Sequence, residues 1–522
     1  MNITRCPVCR QHVESPDGRF REERQISATC CDRCLYLNFL TGGRGFPARD
    51  TVAFRKHTRN EFALLPISLR VNPDPRFTGA GVTIAFIDSG FFPHPDLITP
   101  LNRILAFVDV TDDKCPPRYF RSPQAESWHG TMSAVIASGA GTLSKGLYKG
   151  IAREASMVCI KTMKRKSRHV SGEDIARGIW WAIDHKEEYG IRIINIAVGA
   201  DGPELLTESD TDQAVEAAVE SGIVVVSATG NAPGHPFVAP ASAPSAITVG
   251  GLDDRNQLHE AFWTLYPSTY GKTMDGIDKP DILAPATHLA GPILPKTDQY
   301  RESRLLLQLL HATEAGARSM FTRHKKNLPE LSAKSTRESM KHIVRKRIEA
   351  MKYIAPYHKS MEGTSVAAAI VTSIVAQMLQ ANPALTPAEI KDILARTARP
   401  LQDSSKERQG NGVIDARAAI EQSVLARHPL ILPGIHRSAD SFAFLYEDRK
   451  AETVALAGDF NGWDPLYTPF HGLRNGLWSC IISKPSDAQL SYKFVIDGRR
   501  WIPDPANRNT VADGFGGWNS RL

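Results

Sequence analysis

Short apolar runs alternate along this chain with stretches in which apolar residues recur every three or four positions. GVTIAFID (81–88) is partly β-branched and lacks a polar face, which predicts a strand covered on both sides. IRIINIAVG (191–199) and GIVVVSATG (222–230) repeat that texture. SGEDIARGIWWAIDHKEEYG (171–190) reads as a helix. Ser171 can cap it, Asp174 can close a capping box, and Ile175, Ile179 and Ala182 share a face. Another helix is expected near 210–221. Strand, helix, strand, helix predicts an α/β fold: a mostly parallel sheet with helices on both faces.

Further along, 301–352 reads as helical and basic, and 364–381 as an Ala-rich helix. Thr386-Pro387-Ala388-Glu389 opens another, with a Thr cap, Pro at the first position and Glu at the third. From about 440 the runs shorten to ETVALAG, GLWSCII and LSYKFVI, between turn signals such as NGWDP and IDGRR. That pattern predicts a small antiparallel β-sandwich over 440–522. Residues 1–40 form a cysteine-rich module, and 41–78 a linker broken by GGRGFP and NPDP. The main domain is expected over 79–425.

The 522 residues allow roughly two to four domains. With 42% hydrophobic and 23% charged residues, neither wholesale disorder nor a fibre is indicated. Residues 301–352 hold thirteen Lys and Arg against five Asp and Glu, an excess of eight, so the rest of the +7 chain sits near −1. The charge belongs to one segment and does not support nucleic-acid binding by the whole protein. That segment reads as a solvated helical excursion, a lid or partner-docking arm near a cleft, or a nucleic-acid contact, and a basic arm could also favour acidic substrates or polyanions. Aromatic interleaving of the kind that stacks bases is almost absent from it. The N-terminus, MNITRCPVCR, has no apolar core of a signal peptide, and no apolar span of roughly 18 residues is evident. The expected location is the cytoplasm, with no membrane partner.

Three segments carry candidate chemistry. Ile87-Asp88-Ser89-Gly90 ends a buried strand, Trp128-His129-Gly130-Thr131 opens a small-residue run, and Gly363-Thr364-Ser365 opens the Ala-rich helix. A serine hydroxyl needs a base to take its proton, and an imidazole base needs a carboxylate to fix its tautomer. A helix N-terminus behind Ser365 adds N–H groups toward developing negative charge. Val226-Ser227-Ala228-Thr229-Gly230-Asn231 ends another strand and offers an amide donor for an oxyanion.

In this order and context, Asp88, His129, Asn231 and Ser365 resemble the subtilisin-like (subtilase) serine peptidases. IINIAVG (193–199) resembles their substrate-pairing strand, KPDILAP (279–285) the segment before the nucleophile, and GNGVIDARAAI (410–420) their C-terminal closure. The resemblance covers about 78–300 and 355–422. It implies a subtilisin-like parallel sheet, a catalytic triad of Asp88, His129 and Ser365, Asn231 as oxyanion donor, and a protein or peptide substrate. Calcium is compatible with the family, though no segment marks a site for it. Three positions depart from the family pattern: Val366 for Met, Ala369 for Pro and Ala197 for Ser. The alternative is a non-catalytic α-glucan-binding scaffold on the same fold.

Cys6-Pro7-Val8-Cys9 and Cys31-Asp32-Arg33-Cys34 are CxxC pairs separated by 21 residues, a spacing that resembles a zinc ribbon. Four thiolates suit tetrahedral structural Zn2+, with Cys30 able to replace Cys31 and iron as the alternative metal. At the other end, VALAGDFNGWDP (454–465), SYKFVIDGRRW (491–501) and PDPANRNTVADGFGGWNS (503–520) resemble the family-48 carbohydrate-binding, or glycogen-binding, module. That resemblance implies Trp463 and Trp501 as sugar-stacking rings and Lys493 and Asn519 as polar contacts to α-glucan.

Overall fold

Seven parallel strands carry the main domain. They are β1 (Thr83–Asp88), β2 (Ile104–Asp109), β3 (Ser156–Lys161), β4 (Ile191–Ile196), β5 (Val224–Ala228), β6 (Ile247–Asp253) and β7 (Ile282–Pro285). They lie in the order β2-β3-β1-β4-β5-β6-β7, with Thr264–Leu265 antiparallel to β6. The computed structural model describes residues 2–5, 12–15 and 60–522, apart from 113, 166–168, 325–336, 403, 427–432, 438–440, 473–475 and 485–489. The chain divides into two units, Phe46–Ala416 and a second that joins Met1–Gly45 with Arg417–Leu522.

The expected two-sided burial is seen in β1, where all six residues are buried. Ala85 and Ile87 pack with Ile194 and Ile196 of β4 and with two helices, α2 (Gly172–Asp184) and α3 (Asp210–Glu220). By strand alternation Asn195 points the other way, and its Nδ2 donates to Thr372 Oγ1 at 2.8 Å. Thr372 belongs to α7 (Thr364–Ala381), which packs on that face beside α1 (Ser127–Ser138). Sequence reading found no apolar span of membrane length, yet α7 has one, with a mean hydropathy of 1.5. Its Ala, Ser and Thr disguise the span, and it is the buried central helix of the domain.

Two predicted caps fared differently. At Thr386 the box forms, with Glu389 reaching back to the Thr386 N–H at 2.8 Å. At Ser171 the cap forms, but Asp174 accepts the Ser171 hydroxyl at 2.6 Å instead of returning to its backbone. Aspartate is one methylene shorter than glutamate, and Arg177 also holds it. The predicted helix also breaks at His185, and a short second helix covers Lys186–Tyr189.

The basic segment folds as α4 (Asp298–His311), α5 (Glu314–His324) and α6 (Arg337–Ala350). It is more than a solvated excursion, because Leu305, Leu306, Leu309, Leu310, Val344 and Ile348 form a core of their own with Ile293 and Tyr353. Among its described residues Arg345 pairs with Glu61 and Arg347 with Glu302. The segment is framed by an antiparallel sheet of β8 (Leu289–Pro292), β9 (Tyr353–Ala355) and β10 (His358–Met361), with β10 in the centre.

In the second unit, two antiparallel sheets face each other. One contains β11 (Gly434–Arg437), β12 (Ser441–Glu447) and β14 (Leu477–Ser483); the other contains β13 (Val454–Gly458), β15 (Ser491–Ile496), β16 (Arg500–Ile502), β17 (Thr510–Ala512) and β18 (Trp518–Arg521). Phe442, Phe444 and Tyr446 from the first meet Tyr492, Phe494 and Ile496 from the second. The Phe444 and Tyr492 rings are edge-to-face at 5.1 Å. Asn2–Arg5 pairs antiparallel with His12–Ser15.

One buried polar cluster ties the basic segment to the main sheet. His94 and Asp96 follow β1, and His358 opens β10; all three are almost wholly buried. Asp96 Oδ2 lies 4.0 Å from His94 Nδ1 and 3.9 Å from His358 Nε2. Burial pushes His94 down to about 3, helped by His358, and pushes His358 down to about 4. Burial raises Asp96 to about 6, against the Leu143 and Thr142 N–H groups and the Arg103 charge. An unfolded chain protonates each histidine as pH falls through about 6.5. Stability from the neutral buried rings is therefore present above that value and lost toward pH 4. Asp96 acts in the opposite sense between pH 6 and 4 and offsets one histidine. His358→Gln is expected to lose about 2 kcal/mol less stability than the unmodified protein between pH 7 and pH 4.5 in urea unfolding. Equal losses would contradict neutral burial of His358.

Candidate active site

The strand order reverses between β1 and β4, and ligands collect beyond the carboxyl ends of parallel strands at such a point. Asp88 closes β1, Ala197 follows β4, and Asn231 lies just beyond β5. His129 sits in the first turn of α1 and Ser365 in the first turn of α7. The four residues singled out in the main domain thus come from four segments at one edge of the sheet.

Asp88 is 1% exposed and His129 is 32% exposed. Asp88 Oδ1 accepts the Ser89 N–H at 2.7 Å and faces His129 Nδ1 at 2.7 Å, while Oδ2 accepts the Ser133 hydroxyl at 3.4 Å. A carboxylate opposite Nδ1 requires the proton there, so Nε2 is left as acceptor. Ser365 Oγ stands 3.2 Å from Nε2 and also 3.2 Å from the Ala197 carbonyl. Burial on its own would lower the His129 pKa, but the Asp88 charge and hydrogen bond outweigh it and raise the value.

Close approach brings α1 to Asp88. A Cβ on Gly130 would lie 2.5 Å from Gly90 O and 2.9 Å from Asp88 Cβ, so only glycine fits. The contact is tied by Phe92 N–H donating to Thr131 Oγ1 at 2.9 Å and by Ser89 Oγ donating to Glu126 O at 2.9 Å. Gly363, at φ +136°, turns the chain into α7 in a backbone region that side chains disfavour.

Asn231 is oriented by what it accepts. The Thr364 N–H and hydroxyl donate to Asn231 Oδ1 at 2.8 and 3.1 Å. A backbone N–H can only donate, so the carbonyl end of the amide faces Thr364 and Nδ2 is left as the donor. The Ser365 N–H, in the first turn of α7, has no carbonyl one turn back within the helix. Together these two donors suit a developing oxyanion. Of the departures from the family pattern, Val366 and Ala369 are fully buried in α7, and Ala197 contributes its carbonyl.

Sequence reasoning missed the supporting residues. Ser133 lies one helical turn after His129, a spacing that could have flagged it. Thr364 was quoted only as part of a motif. Trp128 donates its indole N–H to Pro292 O at 3.0 Å, and no sequence signal marks that contact between residues 164 positions apart.

The carbohydrate candidates belong to the second unit. In the second unit, Trp501 is 42% exposed on β16, and the Trp463 indole N–H donates to Asp459 Oδ1 at 2.9 Å. Lys493 is taken by Asp513 at 2.7 Å, and that bond, with the Phe515 and Gly517 N–H groups, lowers Asp513 to about 2. Asn519 pairs with Val511 across β17 and β18. Cys6, Cys9, Cys31 and Cys34, the candidate Zn2+ ligands, lie outside the described residues. Among the described residues no group of three His, Cys, Asp or Glu side chains could hold a metal ion.

Residues 79–412 match the profile of the Subtilase family, and 434–516 match Carbohydrate-binding module 48 (Isoamylase N-terminal domain). The chain is similar to serine protease AprX of Bacillus subtilis, 29% identical over 351 residues, covering 66% of this chain and 67% of AprX. It is also similar to Subtilisin BL of Lederbergia lenta, 29% identical over 183 residues, covering 34% of this chain and 58% of that one. Among solved structures, fervidolysin from Fervidobacterium pennivorans, a keratinolytic enzyme related to subtilisin, is similar at 20% identity and a TM-score of 0.43. That match covers 81% of this chain and 53% of fervidolysin, so the chain spans little more than half of the last two relatives.

The Asp88–His129 contact sets a titration. By NMR, the His129 ring is expected to titrate above the ordinary histidine value of about 6.5. Asp88→Asn keeps the burial and removes the charge, so the value should fall below that of the unmodified protein. An unchanged His129 titration in Asp88→Asn would contradict the assignment of its cause.

Proposed function

The chain belongs to the subtilase family, and on that premise we propose that it is a serine endopeptidase with Asp88, His129 and Ser365 as its triad. The observation that carries the reading is the pair of short contacts on one imidazole, 2.7 Å from Nδ1 to Asp88 and 3.2 Å from Nε2 to Ser365. His129 Nε2 takes the Ser365 proton as Oγ attacks the peptide carbonyl carbon. Negative charge gathers on the carbonyl oxygen, where Asn231 Nδ2 and the Ser365 N–H donate. His129 then gives its proton to the leaving amine, and an acyl-enzyme remains on Ser365. Water attacks that ester with His129 again as base, and the Ser365 hydroxyl is restored. Asp88 stays ionised throughout and stabilises the imidazolium.

Ser365→Ala should abolish cleavage of unfolded casein. Asn231→Ala should lower kcat by roughly 10²- to 10³-fold with little change in KM, the loss seen when subtilisin gives up its oxyanion donor. Casein cleavage that persists in Ser365→Ala would overturn the reading.

For the C-terminal unit, the match to module 48 supports α-glucan as a ligand that would localise the peptidase. Exposed Trp501 presents a flat ring suited to the apolar face of a glucose unit. Trp463 and Asn519 complete the proposed platform, and Lys493 contributes from its pair with Asp513. The double variant Trp463→Ala with Trp501→Ala should lose retention on immobilised amylopectin. Unchanged retention would show that Trp463 and Trp501 form no sugar platform.

A further inference from the structure

Lys359 is a half-buried cation over the Trp128 ring, next to His129, and among the described residues no carboxylate pairs with it. It lies on β10, the strand that leads through Met361 and Glu362 to Gly363 and Ser365. Alternation along β10 sends His358 into the buried cluster and Lys359 to the opposite face. Lys359 Nζ stands 4.4 Å from the centroid of the Trp128 ring, and that ring is 6.4 Å from the His129 ring.

Both sides of this contact are held by backbone. Trp128 is fixed by its bond to Pro292 O, and Pro292 is in register with His358 across β8 and β10. The ammonium therefore sits where the fold puts it.

Among the described residues Lys359 forms no ion pair. Glu362, the nearest acid along the strand, is taken by Lys352 at 3.0 Å. Burial and then the Lys352 charge both lower the Lys359 pKa, and no carboxylate raises it. Elsewhere in the fold buried lysines are neutralised, Lys161 by Asp109 at 3.0 Å and Lys279 by Asp281 at 2.9 Å. The face of Trp128 offsets only part of the desolvation of an ammonium.

We propose that Lys359 binds a carboxylate of the substrate, so that the enzyme prefers peptides with Asp or Glu close to the scissile bond. This rests on the endopeptidase reading of the same site. The two separations, 4.4 and 6.4 Å, place Nζ no more than about 11 Å from the His129 ring. An extended peptide advances about 3.3 Å per residue, so the acidic residue falls within about three positions of the bond. The selectivity would come from β10, the strand that follows the basic segment.

The test is cleavage of a peptide library randomised on both sides of the bond, followed by kcat/KM for matched Asp and Asn peptides. The unmodified protein should enrich Asp or Glu at one position and favour the Asp peptide about tenfold or more, less so at high salt. Lys359→Met, which keeps the apolar stem over Trp128, should erase the Asp-over-Asn ratio. Lys359→Glu should shift the enrichment at that position to Lys or Arg. If the unmodified protein cleaves both peptides equally, or Lys359→Glu keeps the acidic preference, the proposal falls and the endopeptidase reading stands. If it cleaves neither peptide nor any library member, the endopeptidase reading fails and takes this proposal with it.

Discussion

Ser365 can stand opposite His129 only because α7 is locked on every side. A helix buried on all sides cannot slide or rotate without exposing methyl and methylene groups, at about 0.8 kcal/mol for each CH2. Sixteen of its eighteen residues are buried. The helix aims its N-terminus at the carboxyl edge of the parallel sheet, where β1 delivers Asp88 and β5 leads to Asn231. Thr364 links the helix to Asn231 by two bonds to Oδ1, so Ser365 and Asn231 are positioned by one junction.

The site is dry on one side and open on the other. Asp88 lies behind the imidazole with almost no solvent contact, and three donors repay the cost of burying its charge. His129 is partly exposed in front, where a peptide would enter. A buried carboxylate attracts the imidazolium more strongly than an exposed one would, because little water screens it. The raised His129 pKa is the electrostatic mark of that asymmetry.

The basic segment is joined to this machinery through β10. On one face that strand gives His358 to a neutral buried cluster with His94 and Asp96; on the other it gives Lys359 to the Trp128 ring. Its helices pack on a leucine-rich core and keep most of their charge outside. The strongest feature of the composition is thus a surface property, and the contact nearest the candidate site comes from Lys359 on the strand that follows the segment, over the Trp128 ring.

Strand and helix order, the convergence of Asp88, His129 and Ser365, and the β-sandwich were legible because each rests on local texture or short ordered motifs. The Thr386 box was legible for the same reason, whereas the Ser171 box failed on one missing methylene. What could not be read depends on distant partners. His358 meets Asp96, and Lys359 meets Trp128, only because β10 pairs with β8 across an intervening helical segment. The membrane-length span of α7 was hidden by its small polar residues, although its burial follows from the α/β architecture. Covalent capture tests the pairing of Ser365 with His129 most directly. A fluorophosphonate should add once per chain, with peptide mapping placing it on Ser365, and His129→Ala should suppress the reaction without unfolding the protein. Stoichiometric labelling elsewhere, or labelling of Ser365 that is indifferent to His129, would contradict it.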